Sequence, residues 1–205
     1  MLMSGPDPIL LDFPDSFETE RLLIRSPRPG DGGSLRDALA DSLPELQPWL
    51  PWANAPLASL EECEANCRRA FYQFKAREDL RLHLYLKGTN VQIGGSGLHR
   101  IDWTVPRFEI GYWLRTPYVG QGYMTEAVAG ITEFAFATLG ARRVEIMCDA
   151  LNGRSAAIPP RVGFTLEGRL RNHKLDGQTG RLRDTLVFSR IDSDPPHESS
   201  PPTHG

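Results

Sequence analysis

Tyr118-Val119-Gly120-Gln121-Gly122-Tyr123-Met124-Thr125-Glu126 joins a strand pattern to a helical one, and two glycines sit in the joint. Glycine there admits positive φ and lets an outside group approach the main chain. The first N–H groups of the following helix lack internal partners, and its dipole places partial positive charge at that end. Together these features form a cradle for linked phosphates that needs no Lys or Arg. The same residues also fit a plain tight turn. Two nucleotide-binding readings fail. There is no GxxxxGK[ST] run, and position 125, where a dinucleotide fingerprint needs Gly or Ala, holds Thr125.

Just before the joint, RFEIGYWLR (107–115) alternates as a strand does. Phe108, Ile110, Tyr112 and Leu114 share one face, assigned to the core, and Glu109, Gly111 and Trp113 the other. A carboxylate beside Gly111 could take a proton directly or through water; it could equally be solvated or paired with an arginine. His99 and Asp102, near the end of the preceding strand, are rival bases or substrate contacts, although a lone His is more often packed or exposed. Asn152 stands where a short helix opens, as an N-cap would. Trp49 and Trp52 lie in a proline-broken loop, either buried beneath it or lining a cleft. Cys63, Cys67 and Cys148 read as small core residues. Without a partner set for Cys63 and Cys67, no metal is expected.

These residues must be held by elements. Residues 17–27 alternate around Leu22 and Ile24 as a strand, and Asp31 precedes a helix beginning near Gly32 or Ser34. Residues 44–56, broken by four prolines, are expected to be irregular. Ser59 and Glu62 form a capping box for a helix to about Arg77, with Cys63, Cys67, Ala70, Phe71 and Phe74 as its buried stripe. Segments 80–87, 91–102 and 107–115 are strands whose short joints make them antiparallel neighbours. The helix after the glycine joint ends at Gly140. Residues 141–150 form a buried strand, 152–164 a short helix broken at Pro159-Pro160, and two last strands turn around Asp176-Gly177. The fold expected is α/β, a single domain over 15–191 with a mixed, largely antiparallel sheet of six to seven strands flanked by helices. A flexible segment (1–14) and a disordered tail (192–205) flank it.

A length of 205 residues suits one domain. A net charge of −3 with scattered arginines argues against a nucleic-acid partner. No apolar run approaches the ~18–20 residues of a membrane span, and the start lacks the pattern of a signal peptide. Three cysteines make no disulfide framework, so a cytoplasmic location is expected.

VGQGYMTEA after FEIGYWL resembles the GNAT superfamily of acyl-CoA-dependent N-acetyltransferases, whose pyrophosphate loop reads Q/R-x-x-G-x-G/A. Gly122 takes the first glycine position, Val119 the Q/R position and Met124 the G/A position. ETERLLIR (18–25), LQPWLPWA (46–53), GLHRIDWTVPRFEIGYWL (97–114) and N-x-x-S…GF-x-x-EG-x-LR (152–171) are similar to the Rim-type branch, which acetylates ribosomal-protein N-termini.

The resemblance implies acetyl-CoA as co-substrate and no metal, with Val119, Gly120, Gln121, Gly122, Tyr123, Met124 and Thr125 holding the coenzyme. A main-chain N–H around Trp113, Leu114 and Arg115 would stabilise the oxyanion, where the family's strands splay. It implies Glu109 as the base, with His99 a rival, and Asn152 bonding the pantetheine chain. Ser155 is the candidate to protonate the thiolate, because position 159, where many members carry Tyr, is Pro159. Trp49, Trp52 and Asp102 would border the acceptor. That acceptor is expected to be a protein N-terminal α-amine or a small-molecule amine, attacked directly in a ternary complex by a monomer or homodimer. The competing reading, a non-catalytic acyl-CoA-binding module, draws on Val119 and Pro159.

Overall fold

Leu22, Ile24, Leu80, Leu82, Leu84, Leu98, Phe108 and Ile110 alternate with other residues along their strands and bury fully in the computed structural model, which describes residues 7–195. Eight strands carry this pattern: β1 (Ser16–Glu18), β2 (Leu22–Arg25), β3 (Leu80–Leu86), β4 (Gln92–Asp102), β5 (Arg107–Leu114), β6 (Arg143–Asp149), β7 (Thr165–Leu175) and β8 (Leu182–Ile191). They pair in the order β1-β2-β3-β4-β5-β6-β8-β7. All neighbours are antiparallel except β5 and β6.

The apolar face packs against α4 (Tyr123–Ala137), which buries Met124, Ala127, Val128, Ile131, Phe134 and Ala135. Across the sheet, α1 (Gly32–Ala40) packs on α3 (Leu60–Ala76), where Leu35, Cys63 and Cys67 form a small apolar cluster that Trp113 joins. The capping box opens α3 as expected: Ser59 Oγ accepts from the Glu62 N–H, and Glu62 accepts from the Ser59 N–H.

The eighth strand arises because the segment 17–27 is two strands. The chain reverses between them around Thr19, Glu20 and Arg21, held by a carboxylate described below. The proline-rich loop is also more regular than expected. It contains α2 (Leu43–Leu46) and a 3₁₀ turn, Pro51–Asn54, each with Pro in its first two positions. A missing N–H there removes no helical hydrogen bond. Likewise Pro159-Pro160 does not simply break a helix. α5 (Gly153–Ala156) ends, and the prolines sit in the opening turn of α6 (Ile158–Arg161).

The N-terminal segment, where it is described, lies against the domain. Phe13 packs edge-on against Phe74 and Phe134, the Arg77 guanidinium stacks over the Phe13 ring, and Arg77 donates to the Leu11 carbonyl. At the other end Arg142 pairs with Asp192. The expectations for residues 1–6 and 196–205 lie outside the described residues.

Candidate active site

The parallel register between β5 and β6 covers only Arg107, Phe108 and Glu109 opposite Arg143, Val144 and Glu145. Beyond it β6 stays paired with β8 through Asp149, and β5 stays paired with β4 through Leu114, so the two strands part. The result is a wedge-shaped gap in the sheet. The Arg115 N–H bonds the Ile93 carbonyl at 2.7 Å, and N–H groups alternate in direction along a strand. Tyr112 and Leu114 therefore direct theirs into the gap. Of the residues expected to offer an amide, Leu114 directs its N–H towards the gap, as Tyr112 also does, and the amides of Trp113 and Arg115 face β4.

Beyond β5 the chain passes through a 3₁₀ turn, Thr116–Tyr118, into the glycine joint. Gly120 and Gly122 have φ of +82° and +81°, values an L side chain rarely adopts. An added Cβ would meet nothing within 4 Å at Gly120, and at Gly122 only Arg21 Nη2, at 3.4 Å. Val119, Gly120, Gln121 and Gly122 are exposed, and Gly122 is the N-cap of α4 with no side chain capping the helix. The cradle is open, as a diphosphate requires. Met124 buries its side chain in the core and Thr125 is half-buried, so Met124 can offer a ligand only its main chain.

Sequence reasoning missed Arg21 at this corner. It donates from Nε to Glu126 and from Nη1 to the Gln121 carbonyl, and it stacks 4.3 Å above the Tyr123 ring. Burial would raise the Glu126 carboxyl, but hydrogen bonds from Thr19 and Arg21 outweigh it and hold the group below its ordinary value.

At the far side of the gap the Asn152 Oδ1 accepts from the Ser155 N–H at 3.1 Å, the N-cap role expected of it. Ser155 Oγ donates to the Tyr112 hydroxyl at 3.1 Å, and that hydroxyl donates to the Ser155 carbonyl at 3.0 Å. These bonds span from β5 to α5. Burial pushes the Tyr112 phenol above its ordinary value, with only partial relief from Ser155, so it stays protonated at neutral pH. Tyr112 was assigned to the core by its alternation, and its hydroxyl is the part that signal could not place. Pro159 is buried and offers no proton.

The opposite face carries the remaining candidates. His99 lies across the β4–β5 ladder from Glu109, and its ring leans over Gly97 and towards Gly111. Asp79 holds His99 Nδ1 at 2.8 Å. Glu109 accepts a charge-assisted hydrogen bond from Arg100, the paired alternative foreseen for it. The Trp113 indole folds over Gly95 and meets Trp52 edge-on at 6.3 Å between ring centroids. Trp49 lies 5.8 Å from the Arg183 guanidinium. Both tryptophans of the loop thus approach this face, one against β5 and one against the β7–β8 hairpin. The Asp102 carboxylate accepts from the Thr104 N–H at 2.9 Å in the β4–β5 turn. Among the described residues no cluster of three or more His, Cys, Asp or Glu is arranged to hold a metal ion.

Comparison with known proteins agrees with this geometry. The model of the acetyltransferase (GNAT) domain matches residues 21–165. YdaF of Bacillus subtilis (strain 168), whose name provisionally makes it a ribosomal N-acetyltransferase, is 29% identical over 153 residues, 75% of this chain and 82% of its own. The ribosomal-protein-serine acetyltransferase of Escherichia coli (strain K12) is 34% identical over 99 residues, 48% of this chain and 54% of its own. A solved structure of RimL, a ribosomal L7/L12 α-N-protein acetyltransferase in complex with coenzyme A, shares the fold. Its TM-score is 0.76 at 24% identity, over 84% of this chain and 95% of that one.

Proposed function

This chain belongs to the GNAT acetyltransferase family, and from that premise we propose that it moves acetyl from acetyl-CoA to a primary amine, best a protein N-terminal α-amine. The observation that carries the reading is the wedge between β5 and β6, which opens beside an exposed glycine cradle and is bridged by a phenol and a serine. The cradle suits a diphosphate, since a Cβ would meet no protein atom within 4 Å at Gly120 and only the Arg21 guanidinium at Gly122. When bound, acetyl-CoA supplies an activated acetyl thioester.

The chain's own groups then divide the work by face. On the side of Trp52 and Trp113, His99 and Glu109 are the groups that can take the amine's proton. In the gap, the Tyr112 and Leu114 amides are the donors for a developing oxyanion. On the side of α5, Ser155 and Tyr112 form a hydroxyl pair able to return a proton to the departing sulfur. With Pro159 at the position where many members carry Tyr, this reading takes the phenol from β5 instead. The sheet keeps base and acid apart, and only the gap joins them. Three buried free cysteines fit a reducing compartment such as the cytoplasm.

The names of the two bacterial relatives favour a ribosomal protein over a small amine as acceptor. A thiol-release assay with acetyl-CoA tests this against peptides with free N-termini, the same peptides N-blocked, and small amines. Turnover confined to free peptide N-termini is the expected result. Turnover of small amines alone would move the acceptor class, and coenzyme binding without turnover of any amine would favour the non-catalytic module.

A further inference from the structure

Asp79 directly precedes β3, whose Leu80 pairs with Leu98, so Asp79 stands across from His99. Its Oδ2 lies 2.8 Å from His99 Nδ1, while Oδ1 is buried with no hydrogen-bond partner. A carboxylate accepts hydrogen bonds, so the contact places a proton on Nδ1, and in the neutral ring that leaves the lone pair on Nε2. The ring lies so close over β4 that a Cβ at Gly97 would come within 2.8 Å of Nε2, and one at Gly111 within 3.7 Å. Two facing glycines thus make the room this ring occupies. Glu109, by contrast, is engaged. Arg100 sits in the irregular stretch between His99 and Asp102 at φ +48°, a conformation unfavourable for a side-chain-bearing residue, and from there it reaches Glu109. Proton uptake by Glu109 would remove the ionic part of that pair.

We infer that Asp79 is a positioning residue, which fixes His99 in the tautomer whose Nε2 takes the proton of the attacking amine. The inference rests on the acetyltransferase reading above. In the step assigned, the amine nitrogen bonds the acetyl carbon and its proton passes to Nε2. The carbon–sulfur bond breaks with its electron pair on sulfur, which takes a proton from solvent directly or through the Ser155–Tyr112 pair, whose proton solvent then replaces. The imidazolium then returns its proton to water. The half-buried Asp79 carboxylate, whose side-chain partner is His99, stabilises the positive ring between those events.

Asp79→Asn tests this without a change of shape. Its amide N–H₂ can donate to Nδ1 and so favours the Nε2–H form. Nitrogen-15 NMR, with the His99 signal identified by its loss in His99→Gln, should show a protonated Nδ1 in the wild type and the reverse in Asp79→Asn. With acetyl-CoA and an accepted peptide, kcat should fall ~100-fold, at the low end for a lost general base, with the KM for acetyl-CoA within about twofold. Asp79→Glu should restore part of kcat, and Asp79→Asn should add almost nothing in the His99→Gln background. An unchanged tautomer overturns the positioning role, and an unchanged kcat overturns His99 as the base. A wild type that turns over no amine refutes the underlying acetyltransferase reading instead, and the nitrogen spectrum still decides the positioning.

Discussion

Glu126 on the first turn of α4 accepts from Arg21 twice, from Nε at 2.6 Å and from the main-chain N–H at 2.7 Å, and so ties the β1–β2 turn to the glycine cradle. It also accepts from Thr19 Oγ1 at 2.6 Å. Arg21 in turn holds the Gln121 carbonyl, which leaves its guanidinium beside the place proposed for the diphosphate.

Arg21→Ala should therefore weaken coenzyme A binding about tenfold, or ~1.4 kcal/mol, a modest figure because the guanidinium is partly exposed. Calorimetric titration checks it. Equal affinity in both proteins would show that Arg21 serves only the fold.

Gly122→Val should weaken coenzyme A binding more severely, by ~100-fold or beyond. A branched side chain both resists φ +81° and projects into the cradle. Titration beside a melting curve separates lost binding from lost folding. Unchanged affinity would remove the cradle from the coenzyme's path.

Tyr112→Phe removes the hydroxyl that meets Ser155 while keeping the ring that packs against the core. Turnover should fall at least ~10-fold and stability by ~1 kcal/mol, the ordinary value of one buried hydrogen bond. Steady-state kinetics and denaturant unfolding measure the two. A stability loss with full turnover would make the bond purely structural.

Acidification should destabilise the chain in two stages. His83 is buried on β3, with Asp31 at 3.7 Å and Arg25 and Arg81 nearby, and burial lowers its basicity despite Asp31. Burial alone would raise the Asp31 carboxyl, but Arg25, His83 and the Arg28 N–H hold it well below the usual range. Both groups bind protons less readily folded than unfolded. Their contribution is therefore present above the unfolded values and is lost on acidification, below about 6.5 for His83 and below about 3.9 for Asp31. Tm should be level from pH 8 to 7 and decline below ~6.5, more shallowly in His83→Gln. A flat Tm down to pH 4 would contradict the His83 assignment.

The parts of this site that could be read in sequence were those built by neighbours in the chain. Two glycines at a strand–helix joint, the Ser59–Glu62 cap and the alternation of residues 107–114 each state a local rule, and each appears in the fold. Arg21 was invisible because its partner lies 105 residues away and its own surroundings read only as strand. Tyr112 was placed on the correct face, but alternation gives a direction and not a destination, and its hydroxyl meets a helix 43 residues later. The prolines of 44–56 and 159–160 misled for a different reason. Proline breaks a helix interior but is tolerated in a first turn, and these short elements offer mostly first turns. Asp102 near a strand end read as a rival base or substrate contact, and its hydrogen bond from the Thr104 N–H was not legible in that reading.

Crystals grown with coenzyme A provide the most direct test. The two linked phosphates should lie within hydrogen-bond reach of the main-chain N–H groups of 120–124, with the chain entering between β5 and β6 and the sulfur close to Ser155. Coenzyme bound on another surface, with the β5–β6 gap unentered, would contradict the proposed site at its root.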